Sequence, residues 1–236
     1  MWQLFREKIA ELGLGELDEE KERLFRLYLR ELQVWNKKFN LTAHEEEREI
    51  LLYHFLDSLL PLPFFPLKKG TLIDIGSGAG FPGVPLKILQ PSFSLYLVES
   101  NKKKIAFLKN LRDKSGLDFV ILEGRAEDLG KLPQYREMFS LGVARAVASL
   151  PVLLEYSLPF IKIGGYFIAY KGPKLLDELR ESERALSILG GKIYELRETT
   201  LPIGEEKRMF LIVLKEKETP PNYPRRAGIP AKRPLK

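Results

Sequence analysis

The sequence predicts an α/β protein with a mostly parallel sheet of seven strands, preceded by a helical extension. From Thr71 onward, short apolar runs alternate with helical patterns, which is typical of parallel strands joined by helices. The first apolar run, 71–75, leads directly into the glycine-rich stretch 76–83 and a helical pattern. The last two strand-like segments, 192–200 and 207–216, follow each other like a hairpin. We therefore expect the sheet to end with an antiparallel strand.

The helical extension consists of three amphipathic patterns whose apolar side chains recur near every 3.6 residues. These patterns lie at residues 2–12, 16–39 and 46–60. Pro61 and Pro63 end the third one. We divide the chain into an N-terminal helical cap, an α/β domain and a basic, proline-rich tail. Their predicted ranges are 1–65, 66–219 and 220–236.

The α/β domain is predicted to place its functional residues at the ends of its strands, where open parallel sheets bind their ligands. The strands are expected at residues 71–75, 94–99, 119–123, 142–147, 166–171, 192–200 and 207–216. The helices between them are expected at residues 82–90, 101–115, 150–162 and 174–189.

Composition excludes several kinds of site. The 236 residues include no cysteine and only two histidines, so we expect no disulfide, no thiol nucleophile and no metal centre. No long apolar run and no signal peptide is present, which predicts a cytoplasmic protein without a membrane partner. The net charge is +6, and residues 220–236 carry 5 cations and no acids. This distribution favours a polyanionic partner.

The glycine-rich stretch predicts a nucleotide-like ligand, because glycines allow close approach and a helix N-terminus offers free N–H groups. Gly78, Gly80 and Gly83 match the dinucleotide spacing, but the first of them comes late after the strand. Gly76, Gly78 and Gly80 begin directly after the strand and follow Asp74. This second register is similar to the first motif of S-adenosylmethionine (SAM) methyltransferases of the Rossmann-like class.

Glu99 ends the second strand, where an acidic side chain can accept hydrogen bonds from both hydroxyls of a ribose. An acid at this position suits NAD and SAM equally. A candidate catalytic residue is His54, which shares a helix face with Asp57 and Ser58. A catalytic role is conceivable for this group, but we expect a hydrogen-bonded structural histidine.

Several separated segments together resemble one family, the bacterial glucose-inhibited division protein B family of small-subunit rRNA guanine-N7 methyltransferases. They are Asn40-Leu41-Thr42, the segment 54–58 (His-Phe-Leu-Asp-Ser), the glycine stretch 74–83, Arg125-Ala126-Glu127-Asp128, Arg145-Ala146, Lys171-Gly172 and the tail segment 223–230. The resemblance spans nearly the whole chain. It implies a class I SAM-dependent methyltransferase fold and methyl transfer from SAM to N7 of a guanine in 16S rRNA. The implied partner is 16S rRNA or the small ribosomal subunit, and we expect the protein to be a monomer.

The resemblance and the strand ends together give the candidate site residues. Those expected to bind SAM are Asp74, Gly76, Gly78, Phe81, Glu99, Ser100, Asn101, Ala126, Glu127 and Arg145. Those expected to contact RNA are Arg125, Lys171, Arg208, Arg225 and Arg226. Arg125 and Lys171 follow the third and fifth strands, so either could hold a phosphate or the O6 edge of the guanine. The alternative for both residues is a surface cation that is paired with a neighbouring acid and does not contact RNA.

No catalytic base is expected, since guanine N7 carries no proton and positioning can suffice. Two other functions stay open at this point. One is a nicotinamide-dependent oxidoreductase built on the Gly78, Gly80 and Gly83 register. The other is a non-catalytic ribosome assembly factor on the same fold. The tail is expected to contact RNA, and it could also pack back on the domain in the absence of RNA.

Overall fold

A computed structural model describes residues 1–202 and 206–236. Seven strands form one sheet in the order β3-β2-β1-β4-β5-β7-β6, in which β1 to β5 are parallel. The seventh strand runs antiparallel to both of its neighbours. The strands are β1 (Gly70–Ile75), β2 (Phe93–Glu99), β3 (Phe119–Glu123), β4 (Phe139–Arg145), β5 (Ile161–Lys171), β6 (Gly191–Thr200) and β7 (Lys207–Lys215). The mostly parallel sheet with an antiparallel final strand is confirmed.

Ten helices, together with two short 3₁₀ helices (Leu62–Phe64 and Leu158–Phe160), accompany the sheet in the described part of the chain. Three precede it: α1 (Trp2–Glu11), α2 (Glu19–Phe39) and α3, which begins at Glu47–Glu49, continues as a π-helical segment (Ile50–Leu56) and ends at Asp57–Leu59. The others are α4 (Gly83–Leu89), α5 (Lys102–Ser115), α6 (Ala126–Leu129), α7 (Leu150–Ser157), α8 (Leu175–Arg180), α9 (Glu183–Leu189) and α10 (Ile229–Lys232). None of the helices in residues 1–202 and 206–236 is both long and apolar enough to cross a bilayer.

The predicted boundaries differ from the structure around β4 and β5. The helix expected at 150–162 ends at Ser157, and β5 begins at Ile161 rather than at residue 166. Gly164 has a φ of +77°, a conformation that glycine adopts without strain. The register with β4 shifts at this end of the strand. The strand therefore continues through a bulge at the glycines, whereas the sequence pattern placed these glycines before the strand. The strand expected at 142–147 instead occupies Phe139–Arg145.

The helix expected at 174–189 is divided into α8 and α9. The interruption lies at Ser182, a fully buried residue whose hydroxyl donates to the backbone oxygen of Glu178 at 2.6 Å. Such a local side-chain bond competes with the regular helical pattern. Hydrophobic spacing continues across the break, which explains why the sequence predicted a single helix.

The N-terminal helices pack against the glycine-rich turn through an aromatic cluster. The ring of Tyr28 in α2 stacks on Phe81 at 5.3 Å, and Phe55 of α3 lies 5.9 Å from the same ring. The buried hydroxyl of Tyr28 donates to the backbone oxygen of Ala79 at 2.5 Å. The N-terminal helices therefore support the glycine-rich turn through these contacts.

The C-terminal tail folds back on helix α7. Arg225 makes a bidentate ion pair with Glu155, whose side chain is fully buried, with contacts of 2.6–2.9 Å. The backbone N–H of Gly228 donates to Glu127 at 2.9 Å, and Leu235 is buried. Although the tail lacks a core-forming pattern in the sequence, these contacts attach it to the domain.

Candidate active site

The turn after β1 depends on glycine at three alternate positions. Gly76, Gly78 and Gly80 have φ values of +70°, +60° and +100°, which disfavour any side chain. A Cβ on Gly76 would lie 2.8 Å from a methyl group of Val147. These residues are the register that begins directly after the strand, and Gly76, which belongs to that register alone, is among the positions that require glycine.

Asp74 lies fully buried beneath this turn. Its Oδ2 accepts a hydrogen bond from the backbone N–H of Gly83 at 2.8 Å. Burial raises the pKa of Asp74 to about 7, against the opposing effects of Gly83 and Arg145. A Cβ on Gly83 would lie 2.8 Å from Oδ2, so glycine is required where α4 begins. Within the described residues, Asp74 Oδ1 has no hydrogen-bond partner.

Glu99 joins the glycine turn to the end of β2. Its Oε2 accepts from the N–H of Gly78 at 2.9 Å, and its Oε1 accepts from the N–H groups of Ser100 and Asn101 at 2.7 Å each. The side chain is 8% exposed. Each carboxylate oxygen can accept two hydrogen bonds, so Oε2 retains capacity for a donor from a ligand.

A pocket opens beside Glu99, at the carboxyl ends of β1, β2 and β3. We call it the β1–β3 pocket. Its lining includes Val147, Tyr156 and six of the candidate residues named from the sequence. These six are Gly76, Glu99, Ser100, Arg125, Ala126 and Glu127. The other residues expected to bind SAM, Asp74, Gly78, Phe81, Asn101 and Arg145, support or flank this pocket and do not line it.

The donors and acceptors of the β1–β3 pocket fit a nucleoside with an amino-acid end. Glu99 supplies a carboxylate for ribose hydroxyls, and Glu127 is a second buried acid at the end of the pocket. Gly76 lets a ligand approach the backbone closely. The buried hydroxyl of Ser77 and Asp74 Oδ1 have no partner in the described residues, which leaves polar capacity under the turn.

A second cavity lies beside the first, on the other side of segment 145–148. This β4–β5 cavity has a volume of about 340 Å³. Its walls include Asp57, Arg145, Tyr170, Lys171, Arg208 and Phe210. Tyr170 and Phe210 are 5% and 1% exposed, so an aromatic floor lies deep in the protein. Ala146 borders the cavity with a φ of +56°, an uncommon conformation for a residue with a side chain.

Asp57 connects three distant parts of the chain in the wall of this cavity. Its Oδ2 accepts from Arg145 at 2.7 Å and its Oδ1 accepts from Arg208 at 2.6 Å. Arg208 also contacts Glu206 at 2.9 Å. The carboxylate is 8% exposed, so removing it would leave both guanidinium groups without their shared partner. Arg145 and Arg208, named as cofactor and RNA contacts, are thus held by one acid of α3.

Lys171 is fixed at the end of β5. Its ammonium donates to the backbone oxygen of Ala148 and to Glu178, both at 2.7 Å. The same Glu178 oxygen accepts from the backbone N–H of Leu150 at 2.6 Å. The lysine therefore secures segment 145–148 from the cavity side. Two of its three N–H donors are used.

His54 is held by partners on both ring nitrogens. Its Nδ1 lies 3.2 Å from an N–H group of Arg145, and its Nε2 lies 2.5 Å from the hydroxyl oxygen of Thr42. Because arginine can only donate, Nδ1 must accept and Nε2 carries the proton. Burial, with Arg145 and His44 nearby, lowers the pKa of His54 to about 3. A neutral histidine stacked on Phe81 at 4.8 Å agrees with the structural role that we expected.

The other expected RNA contacts lie in different surroundings. Arg125 is exposed at the start of α6 and lines the β1–β3 pocket, and Arg226 is exposed in the tail. Arg225, by contrast, is bound to Glu155. The sequence did not identify Glu178 or Glu155 as partners of these cations. The only signal for Asp57 was its spacing from His54, which gave no indication of Arg208.

Comparisons with known proteins agree with this geometry. The profile of the family described as rRNA small subunit methyltransferase G matches residues 21–207. Two proteins named ribosomal RNA small subunit methyltransferase G are similar to the chain. The one from Alkaliphilus metalliredigens is 46% identical over 99% of this chain and 98% of its own length. The one from Lactobacillus acidophilus is 49% identical over 93% of each.

A solved structure shows the same fold without close sequence similarity. The ribosomal protein L11 methylase of Lactobacillus delbrueckii subsp. bulgaricus superposes with a TM-score of 0.51 and 16% identity. The match covers 75% of this chain and 81% of that one. The comparison supports the Rossmann-like methyltransferase fold that the glycine register predicted.

Proposed function

The chain belongs to the rRNA small subunit methyltransferase G family, and we propose that it transfers a methyl group from SAM to N7 of a guanine in 16S rRNA. The observation that carries this proposal is the pairing of two recesses across segment 145–148. One ends in an acid suited to a ribose, and the other has an aromatic floor suited to a base. An enzyme of this kind must hold a nucleoside cofactor and a nucleobase side by side.

The residues of the β1–β3 pocket would hold the cofactor. Glu99 would accept a hydrogen bond from a ribose hydroxyl through Oε2, Gly76 would border the amino-acid end of SAM, and Ala126 with Glu127 would lie beside its adenine base. Phe81, Ser100, Asn101 and Arg145 would complete or support this site. When bound, SAM supplies a methyl group on a positively charged sulfur.

The acceptor chemistry asks little of the protein beyond positioning. N7 attacks with its in-plane lone pair, the methyl–sulfur bond breaks as the methyl–nitrogen bond forms, and no proton moves. The purine gains the positive charge that the sulfur loses. Consistent with this, His54 is neutral and is occupied by Arg145 and Thr42, so this histidine does not serve as a general base.

The substrate would be 16S rRNA, either free or in the small ribosomal subunit. Exposed Arg125, in the lining of the β1–β3 pocket, and exposed Arg226, in the tail, offer contacts to phosphates. Three other cations, Lys171, Arg208 and Arg225, are held by ion pairs. They would contact RNA without leaving these positions. We also propose that the protein acts as a monomer in the cytoplasm.

The test is methyl transfer from radiolabelled SAM to rRNA and to small subunits that lack the modification. We expect label at one guanine, located by chemical cleavage at 7-methylguanine. Label on an exocyclic amine or in protein would contradict the proposal. The oxidoreductase and the non-catalytic factor receive no support from the comparisons, and calorimetric titration with NAD should show no binding where SAM binds.

A further inference from the structure

We propose that the β4–β5 cavity receives the target guanine flipped out of the RNA, and that Lys171 selects guanine by donating a hydrogen bond to O6. The inference rests on the proposed function and adds the binding site for the acceptor base. It assigns Lys171 a role in choosing the base rather than in binding phosphate.

The shape of the cavity suits a planar base that has left its stack. Phe210, Tyr170 and Leu153 contribute buried side chains, none more than 5% exposed. A base that remained stacked within RNA could not reach this depth, whereas enzymes that modify bases commonly extrude them into such recesses. The volume of about 340 Å³ leaves room for a purine and its ribose.

The charges around the cavity argue for a base and against a phosphate. Four cations line it, and in the described structure each is paired with a carboxylate. The pairs are Arg145 with Asp57 at 2.7 Å, Arg208 with Asp57 at 2.6 Å, Lys171 with Glu178 at 2.7 Å and Lys207 with Glu198 at 2.8 Å. Glu206 adds a fourth acid, on Arg208. The cations of the cavity are therefore matched in number by acids, one of which (Asp57) lines the cavity itself, and this pairing disfavours a phosphate.

Paired cations also suit the reaction, because the purine becomes positive when N7 accepts the methyl group. An unpaired ammonium beside O6 would repel that charge. Glu178 offsets the charge of Lys171, so the lysine can act as a hydrogen-bond donor without this penalty.

Lys171 has one donor left for a ligand. Ala148 and Glu178 use two of its three N–H groups and fix its position at the end of β5. Guanine presents O6 beside N7 on the same edge, whereas adenine presents an amino group there. With N7 directed at the cofactor, the adjacent O6 would face the part of the cavity wall that Lys171 forms. A fixed donor at that place would accept guanine and reject adenine.

The experiment pairs a change in the protein with a change in the base. The substrate is 16S rRNA assembled by ligation with guanine or 2-aminopurine, which lacks O6, at the methylated position. Wild-type protein should methylate the guanine RNA more than about tenfold faster, since a site built to bond a group rejects the analogue that lacks it. Lys171→Met should slow the guanine reaction to the 2-aminopurine rate, and Lys171→Arg should restore part of the preference. The exposed Lys174 serves as the matched control, and Lys174→Met should keep the full preference.

A binding measurement without cofactor provides a second readout. Wild-type protein should bind the guanine RNA more tightly than the 2-aminopurine RNA, and Lys171→Met should bind both equally. Equal methylation rates and equal affinities of wild-type protein for the two RNAs would overturn the inference and leave the proposed function standing. Equal slowing of both bases by Lys171→Met would also overturn it, since a structural or phosphate contact would act in this way. No transfer to the guanine RNA by wild-type protein would contradict the proposed function itself.

Discussion

The β1–β3 pocket is bordered largely by backbone at the ends of strands that follow one another in the chain. The β4–β5 cavity is instead walled by side chains from α3, β4, β5 and β7. The first depends on glycine conformations and on one carboxylate that binds backbone N–H groups. The second depends on ion pairs between residues as far apart as Asp57 and Arg208.

This difference shows how two neighbouring sites can be changed independently. Backbone geometry fixes the β1–β3 pocket, proposed for the cofactor, while paired charges fix the β4–β5 cavity, proposed for the substrate base. Segment 145–148 is the wall that they share, because Val147 lines one recess and Ala146 the other. We expect substitutions on either side to separate cofactor binding from base binding.

The largest expected effect is at Asp57. Asp57→Asn removes the charge that holds Arg145 and Arg208, and removing one partner of a buried pair costs about 3–5 kcal/mol. The free energy of unfolding, measured with denaturant, should fall by this amount. Asp113→Asn, which affects an exposed pair with Arg112, should change it by less than about 0.5 kcal/mol. A loss at Asp57 no larger than that at Asp113 would contradict the role of the ion pairs.

The next effect is on cofactor binding. Glu99→Ala should weaken SAM binding by about 2–4 kcal/mol, because hydrogen bonds to a charged group are worth roughly 1.5–3 each. Isothermal titration calorimetry measures this change. Glu123 is the neighbour of Glu99 in the sheet register but is exposed and paired with Lys109, so Glu123→Ala should leave SAM affinity unchanged. Unchanged affinity in Glu99→Ala would remove the carboxylate from the ribose site.

A pH effect of intermediate size is expected at His54, whose ring stacks on Phe81. Its pKa is lowered to about 3 in the fold, so the unfolded chain binds a proton first as the pH falls below about 6.5. The stability contributed by neutral His54 is complete above that pH and decreases toward pH 3, by about 2 kcal/mol at pH 5. His54→Gln should lack this loss. Stability curves of the two proteins that run parallel from pH 8 to pH 5 would refute the assignment.

The smallest expected effect concerns the RNA surface outside both recesses. Arg226→Ala should reduce the slope of log affinity against log salt concentration by about 1, as expected for one lost phosphate contact. Filter binding to 16S rRNA over a range of salt concentrations measures the slope. Its neighbour Arg225 is bound to buried Glu155, so Arg225→Ala should lower stability more than it changes the slope. An unchanged slope in Arg226→Ala would exclude this residue from the RNA surface.

The extent of sequence-based prediction follows the same division between backbone and side chains. Gly76 and Glu99 could be named as candidates because they stand at strand ends, which parallel strands bring together, and the family resemblance added Glu127. The ion pairs Asp57–Arg208 and Arg225–Glu155 could not be predicted, because their members are 151 and 70 residues apart in the chain. The sequence does not indicate which acid an arginine will contact. The start of β5 was misplaced for a local reason, because Gly164 allows a bulge within the strand.

The account rests on two recesses with separate tasks, and two variants measured in two ways test it most directly. SAM affinity without RNA and the rate of methyl transfer to unmodified 16S rRNA at saturating SAM should be determined for Glu99→Ala and Lys171→Met. We predict that Glu99→Ala weakens SAM binding at least about thirtyfold, by the hydrogen-bond energies above, while Lys171→Met leaves SAM affinity intact and slows transfer. A loss of SAM affinity in Lys171→Met equal to that in Glu99→Ala would show that the two recesses act as one site and would contradict the account.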